Sequence, residues 1–172
     1  MPRIGLISDT HGYLDKGLIK HLQQCDEIWH AGDIGNIKLT DHLGEWKPLR
    51  AVWGNIDGKE HRAQFPMDQV FNIEGVKVVM THIAGYPRRY NEHARELIET
   101  HRPNLFICGH SHILKVQNDQ KNGHLHMNPG AAGVHGFHKV KTVLRFTIEG
   151  SRIKDLEVVE LGKRSAWNPV EI

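Results

Sequence analysis

Apolar residues along this chain gather into short runs, and most of the runs stop at a small cluster of glycine and polar residues. "RIGLIS" suits a buried strand and ends at "DTHG". "LDKGLIKHLQQC" then spaces Leu14, Leu18, Ile19 and Leu22 as a helix does. "DEIWHAGD" reads as a second strand, "IKLTDHLGEW" as a weak helix and "PLRAVWGNID" as a third strand. Strand, helix and strand joined by short connections predict a largely parallel sheet with helices on its faces. The pattern then changes. "QVFNIEGVKVVMTH" reads as a hairpin turning at Glu74-Gly75. "YNEHARELIETH" places Tyr90, Ala94, Leu97, Ile98 and His101 at helical spacing, and Pro103 limits its extension. "NLFIC", "ILKVQN", "HLHMN", "KTVLRFTIEG" and "RIKDLEVVELG" complete a β-rich second half. The expected architecture is α/β, with two packed sheets flanked by helices.

Length and composition narrow this picture without deciding it. A chain of 172 residues suits one domain, spanning residues 1–172, with a sizeable core. Lys plus Arg total 22 against 20 Asp plus Glu, and no basic stripe or acidic tail stands out, so a nucleic-acid partner is not indicated. The N-terminus lacks the apolar core of a signal peptide, and no apolar run is long enough to span a bilayer. The expectation is a cytoplasmic protein with no membrane partner, and a homo-oligomer is left open. Cys25 and Cys108 sit in apolar surroundings and read as core residues. Trp29, Trp46 and Trp53 read the same way. The unusual figure is 14 histidines, the side chain that most often binds metals.

Position gives those histidines meaning. Five apparent strands end in candidate metal ligands. The first gives Asp9 and His11, the second Asp33, and the third Asn55. "VKVVMT" leads to His82, and "NLFIC" to His110 and His112. Gly32, Gly54 and Gly109 stand immediately before Asp33, Asn55 and His110, where the backbone can turn sharply and approach a ligand. In open α/β sheets, ligands bind beyond the carboxyl ends of strands. Carboxylate, amide oxygen and imidazole together suit Mn²⁺, Fe²⁺, Co²⁺, Ni²⁺ or Zn²⁺. Seven donors exceed the need of one such ion, whereas two ions roughly 3.5–4 Å apart would use them. Each residue also has an ordinary reading alone. Asp9 or Asp33 could cap the following helix, Asn55 could fill a turn, and the histidines could be polar strand ends or loop residues.

In order along the chain, "SDTHG", "HAGD", "WGNID", "MTH", "CGHSH" and "NPG" resemble the signature blocks of the calcineurin-like metallophosphoesterases, in particular the small YfcE-type bacterial and archaeal phosphodiesterases. The resemblance covers Ile4 to about Gly133. It implies a four-layer αββα sandwich of two mixed β-sheets. It assigns one metal to Asp9, His11, Asp33 and His112, and a second to Asp33, Asn55, His82 and His110, with Asp33 bridging and Mn²⁺ the first choice. It further implies a small-molecule phosphodiester substrate attacked by a water or hydroxide between the metals. Asp33, Asn55, His82 and His110 are the expected catalytic residues. Asn55, Asn128 and the backbone at Gly130 are the expected substrate contacts.

The chain departs from the pattern in three places. Ile56 follows Asn55 where larger relatives carry a histidine proposed as general acid. His82 is followed by Ile83-Ala84 rather than Gly-His. Ala131 follows "NPG" where relatives usually carry serine. The missing acid favours good leaving groups, unless His135 or His138 in "GVHGFHK" supplies a proton. Two other functions fit the same fold, a protein-binding scaffold with little or no catalysis and a phosphomonoesterase. His124 and His126 share a strand face, expected to be solvated, and His21, His42, His61, His93 and His101 are expected on helix or loop surfaces.

Overall fold

The computed structural model describes residues 1–172. The opening run forms β1 (Arg3–Ile7), followed by α1 (Lys16–Leu22), β2 (Glu27–His30), α2 (Ile37–Trp46) and β3 (Leu49–Ala51). A short helix α3 (Lys59–Gln64) follows, then the hairpin β4 (Asp68–Ile73) and β5 (Val76–Thr81). Next come α4 (Glu92–His101), β6 (Leu105–Ile107), β7 (Leu114–Asp119), β8 (His124–Pro129), β9 (Val140–Glu149) and β10 (Arg152–Lys163). The six residues of α3 are too few to show a helical period, and the sequence reading missed it. Tyr90 lies outside α4, which is capped by Asn91 accepting a bond from the Ala94 amide. The caps of α1 and α2 are Asp15 and Asn36, so Asp9 and Asp33 are not spent on capping.

The strands form two mixed five-stranded sheets, ordered β10-β9-β1-β2-β3 and β4-β5-β6-β8-β7. In the first, β1, β2 and β3 run parallel and β9 pairs antiparallel with β1. In the second, β5, β6 and β8 run parallel. Side chains alternate across each sheet with a period of two. Ile4, Leu6, Val78, Met80, Leu105 and Ile107 therefore face inward and build the core between the sheets with Trp29 and Phe146. Ile7 and Ile28 face outward against Leu18 and Leu22 of α1 and Leu39 and Leu43 of α2. Val79 and Phe106 face outward against Ala94 and Ile98 of α4. The result is the expected four-layer αββα arrangement, with the parallel strands β1, β2, β5 and β6 buried on both faces and the edge strand β3 only partly covered.

One charge is enclosed beside this core. Lys141 is fully buried, and its Nζ donates to Asp15 Oδ2 at 2.5 Å, Tyr13 Oη at 3.1 Å and the Ala166 carbonyl at 2.7 Å. The Asn168 amide donates to the same Tyr13 oxygen, and the Val170 amide to the Leu14 carbonyl. The segment after β10 is thus held against the chain just beyond His11. Trp46 and Trp53, expected in the core, are only half-buried, and the Arg62 guanidinium lies 4.2 Å over the Trp53 ring. His61 is buried rather than superficial.

His124 and His126 also differ from expectation. They share a face, but that face is covered by α4 and the Tyr90 loop, and both rings are buried. The Tyr90 hydroxyl lies 3.0 Å from His124 Nε2 and 2.9 Å from His126 Nδ1. Burial, with smaller contributions from His124 and Lys115, lowers the His126 pKa to about 4. An unfolded histidine titrates near 6.5, so the unfolded chain takes up this proton first. The contribution is complete above pH ~6.5 and is lost as pH falls toward 4, to a total of about 3 kcal/mol. Urea unfolding between pH 7 and 4 should show a shallower loss of stability in His126→Asn than in the parent. An unchanged slope would refute the assignment.

Candidate metal centre

The carboxyl ends of parallel strands from both sheets meet at one edge of the sandwich. The first sheet brings Asp9 and His11 beyond β1, Asp33 beyond β2 and Asn55 beyond β3. The second brings His82 beyond β5, and His110 and His112 beyond β6. All seven residues expected from the sequence converge. Their donor atoms form two groups, Asp9 with His11 and His112, and Asp33 with His82 and His110, each within 4.8 Å of one another. Asn55 Oδ1 joins the second group, 3.1 Å from His82 Nε2 and 2.9 Å from His110 Nδ1. Asp33 reaches both groups. Its Oδ1 is 3.2 Å from His82 Nε2 and its Oδ2 is 3.4 Å from His11 Nε2.

The backbone is bent to achieve this. Asp9, His11, Asp33, His110 and His112 all adopt positive φ, between 46° and 70°. Such left-handed geometry costs non-glycine residues roughly 1–2 kcal/mol each and collects at functional sites. The neighbouring glycines make room. A β-carbon at Gly54 would collide with Asp33, and one at Gly109 with Ser8 and Asp9.

Further buried groups hold the loops, and the sequence reading did not single them out. The Asp57 carboxylate accepts from the amides of Gly54 (2.8 Å), Ile34 (3.0 Å) and Gly35 (2.9 Å), tying the Asn55 turn to the Asp33 loop. His30 Nδ1 accepts from the Gly32 amide, so its Nε2 donates to Thr10 Oγ1, between Asp9 and His11. Burial pushes the His30 pKa down to about 4, which keeps the ring neutral. The one local signal was that Asp57 lies two residues after Asn55.

The charge pattern calls for cations. His82 Nδ1 lies 2.7 Å from the Ala31 carbonyl and donates to it, which leaves the Nε2 lone pair of the neutral ring facing oxygens of Asp33 and Asn55. A proton or a metal must sit among these acceptors. Burial disfavours a proton on His82, but the Asp33 bond and the charges of Asp9 and Asp33 outweigh it and raise its pKa. Burial lowers the pKa of His11 and of His110, with His82 adding to the effect at His110, and this favours the neutral form that binds metal. Asp9 Oδ1 and His11 Nε2 are buried without any hydrogen-bond partner. A buried unpartnered carboxylate oxygen is costly unless a cation meets it. The donor set fits divalent transition metals.

Above the donors lies a cleft of about 520 Å³, lined by His11, Asp33, Asn55, His110 and His112 with Ile56, Ile113 and the loop His135–His138. Asn128 and Gly130 do not line it. The Asn128 amide nitrogen donates to the Gly109 carbonyl (2.9 Å) and Ser111 Oγ (3.1 Å), and its oxygen accepts from the Gly130 amide. These contacts place Asn128 beneath the His110–His112 loop, which it steadies.

The calcineurin-like phosphoesterase superfamily domain matches residues 2–151, and the chain belongs to that superfamily. A protein of Methanothermobacter thermautotrophicus named as a probable metallophosphoesterase is 26% identical over 164 residues, 92% of either chain. Among solved structures, Vps29 of Chaetomium thermophilum superposes with a TM-score of 0.71 at 17% identity, covering 95% of this chain and all of that one. A structure described as a novel archaeal phosphodiesterase gives 0.70 at 19% identity, covering 92% and 99%. At these identities the two structures support the fold alone. The superfamily is metal-dependent, which agrees with the two donor groups.

Asp57→Asn keeps the side-chain size but turns one acceptor into a donor facing backbone amides. Loss of charged hydrogen bonds at a buried site should cost about 2–4 kcal/mol. It should also weaken Mn²⁺ binding, read by urea unfolding and by metal titration of the folded protein. Wild-type values in both would remove Asp57 from this role.

Proposed function

We propose that the protein is a phosphodiesterase working with two divalent transition-metal ions. Asp9, His11, Asp33 and His112 would hold one ion, and Asp33, Asn55, His82 and His110 the other. The observation that carries this reading is the convergence of the His82 and His11 nitrogens with the oxygens of Asp9, Asp33 and Asn55, an arrangement that needs a shared proton or a bound cation between them. When bound, such a metal pair stabilises charge on a phosphoryl group and activates water for in-line displacement. In the overall reaction, a water oxygen bonds to phosphorus, one phosphorus–oxygen ester bond breaks, and the departing alcohol carries away a proton. Mn²⁺ is the first choice of metal, with Ni²⁺, Co²⁺, Fe²⁺ and Zn²⁺ compatible with the same donors.

The chain's own residues divide the remaining work. Asp33 fixes the spacing of the two donor groups, and the Ile56 amide orients its Oδ1 at 3.1 Å. Asn55 lies on the open side of the centre, where its amide can also donate to a phosphoryl oxygen. Ile56 supplies no proton to the leaving group. His135 and His138 are not equivalent for that task. His138 Nε2 donates to the Gly133 carbonyl at 2.8 Å and braces the loop. His135 is exposed, stacks on His11 at 4.6 Å and lines the cleft, so it is placed to meet a departing ester oxygen.

The scaffold reading remains the rival, because the Vps29 likeness shows how far this fold extends. The deciding experiment supplies Mn²⁺, Ni²⁺, Co²⁺ or Zn²⁺ to purified protein with bis-p-nitrophenyl phosphate. Metal-dependent hydrolysis that disappears in Asp33→Ala supports the proposal. Protein that binds none of these metals and hydrolyses nothing supports the scaffold. Faster turnover of p-nitrophenyl phosphate than of the diester would support a monoesterase. His135→Ala should slow alkyl phosphodiesters at least tenfold more than nitrophenyl ones. Equal slowing of both would remove His135 from the leaving-group side.

A further inference from the structure

The rim of the cleft is chemically one-sided. Ile56, Ile113 and Phe137 line it, and they are 46%, 63% and 104% exposed. They come from three separate loops, after β3, after β6 and before β9. Single apolar residues on a surface are ordinary, but three converging around one concave site mark a place where something apolar binds. Phe137 is the clearest of them, because full exposure means that it contributes nothing to the folded core. Its loop is nevertheless pinned. Arg164 donates to the carbonyls of His138 (2.9 Å) and Val134 (3.1 Å), and His138 holds the Gly133 carbonyl. A β-carbon at Gly133 would strike the Asp9 and Thr10 carbonyls, so the loop lies directly against the metal-binding turn. The fold therefore spends hydrogen bonds on presenting a bare aromatic ring at the mouth of the cleft.

The second observation concerns charge. No lysine or arginine lines the cleft. Enzymes that handle polyphosphates or nucleic-acid backbones place such side chains to neutralise the additional phosphates. Beside the metal centre, the cleft offers negative charge only the Asn55 amide and histidine rings, none of them a fixed positive charge. The cleft volume also exceeds what a phosphoryl group alone would fill.

We infer that the site selects phosphodiesters with a single phosphate and an ester group that presents a flat ring face, an aryl group or the base of a nucleoside, which rests against Phe137, Ile113 and Ile56. This deepens the phosphodiesterase reading and rests on it for turnover, but ligand binding can be read separately.

The test titrates Mn²⁺-supplemented protein with phenylphosphonate and methylphosphonate, which differ only in the apolar group. The phenyl compound should bind about tenfold more tightly, and Phe137→Ala with Ile113→Ala should reduce that ratio to below about threefold. Both side chains are exposed, so the variant should keep its unfolding midpoint. Equal binding of the two phosphonates, or a ratio that survives the double substitution, would overturn the inference. The charge arm compares hydrolysis of a thymidine dinucleotide with that of its 5′-phosphorylated counterpart. Slower cleavage of the phosphorylated form is expected, and cleavage tenfold faster would overturn the single-phosphate assignment. If no diester is turned over, the proposed function fails while the phosphonate ratio still decides the inference.

Discussion

The donor cluster depends on one alignment, that of two sheets packed face to face. Asp9, His11, Asp33 and Asn55 belong to one sheet, and His82, His110 and His112 to the other. Neither sheet carries a full set for either donor group. The inter-sheet core of Ile4, Leu6, Val78, Met80, Leu105 and Ile107 fixes the separation. Two polar contacts then set the fine position, His82 Nδ1 to the Ala31 carbonyl and the His110 amide to Asp9 Oδ2. Close-packed interiors resist small displacements, so the spacing of the donors inherits the stiffness of the core.

That stiffness also explains how the site tolerates its own strain. Five candidate ligands are held in left-handed backbone geometry, and two carboxylates are buried side by side among imidazoles. Asp57, His30 and Asn128 absorb the backbone amides and carbonyls that such sharp turns would otherwise leave unpaired. A cation bound only by the folded form would stabilise that form further. Stability of the whole and occupancy of the site are therefore linked.

Much of this was legible in the sequence. Period-two and helical spacing marked nearly every element, and the glycine-polar clusters at strand ends marked all seven candidate ligands. What stayed hidden were partnerships between distant residues. Alternation put His124 and His126 on one face, but only α4 and Tyr90, more than 20 residues away, decide whether that face is wet. Asn128 looked like a pocket residue because its block adjoins the others in the pattern, whereas its bonds to Gly109 and Ser111 draw it below the surface. Asp57 lies in a loop and His30 at the end of β2, and both bond to neighbouring loops, partnerships that no periodicity reports. Burial of polar groups is the property least readable from local pattern, because a remote segment supplies the cover.

The pairing of β1 with β9 bears on how the protein comes into being. β1 lies between β2 and β9, and its register sets Leu6 opposite Leu144. The strand that carries the chain to Asp9 is made well before β9, so one of its two edges stays unpaired until residues near 149 have been synthesised. Loop closure over so long a separation is slow and leaves a strand edge open to other chains. The turn at Asp9–His11, which carries candidate ligands, would then be made well before β9 and would reach its final position only after β9 has paired with β1.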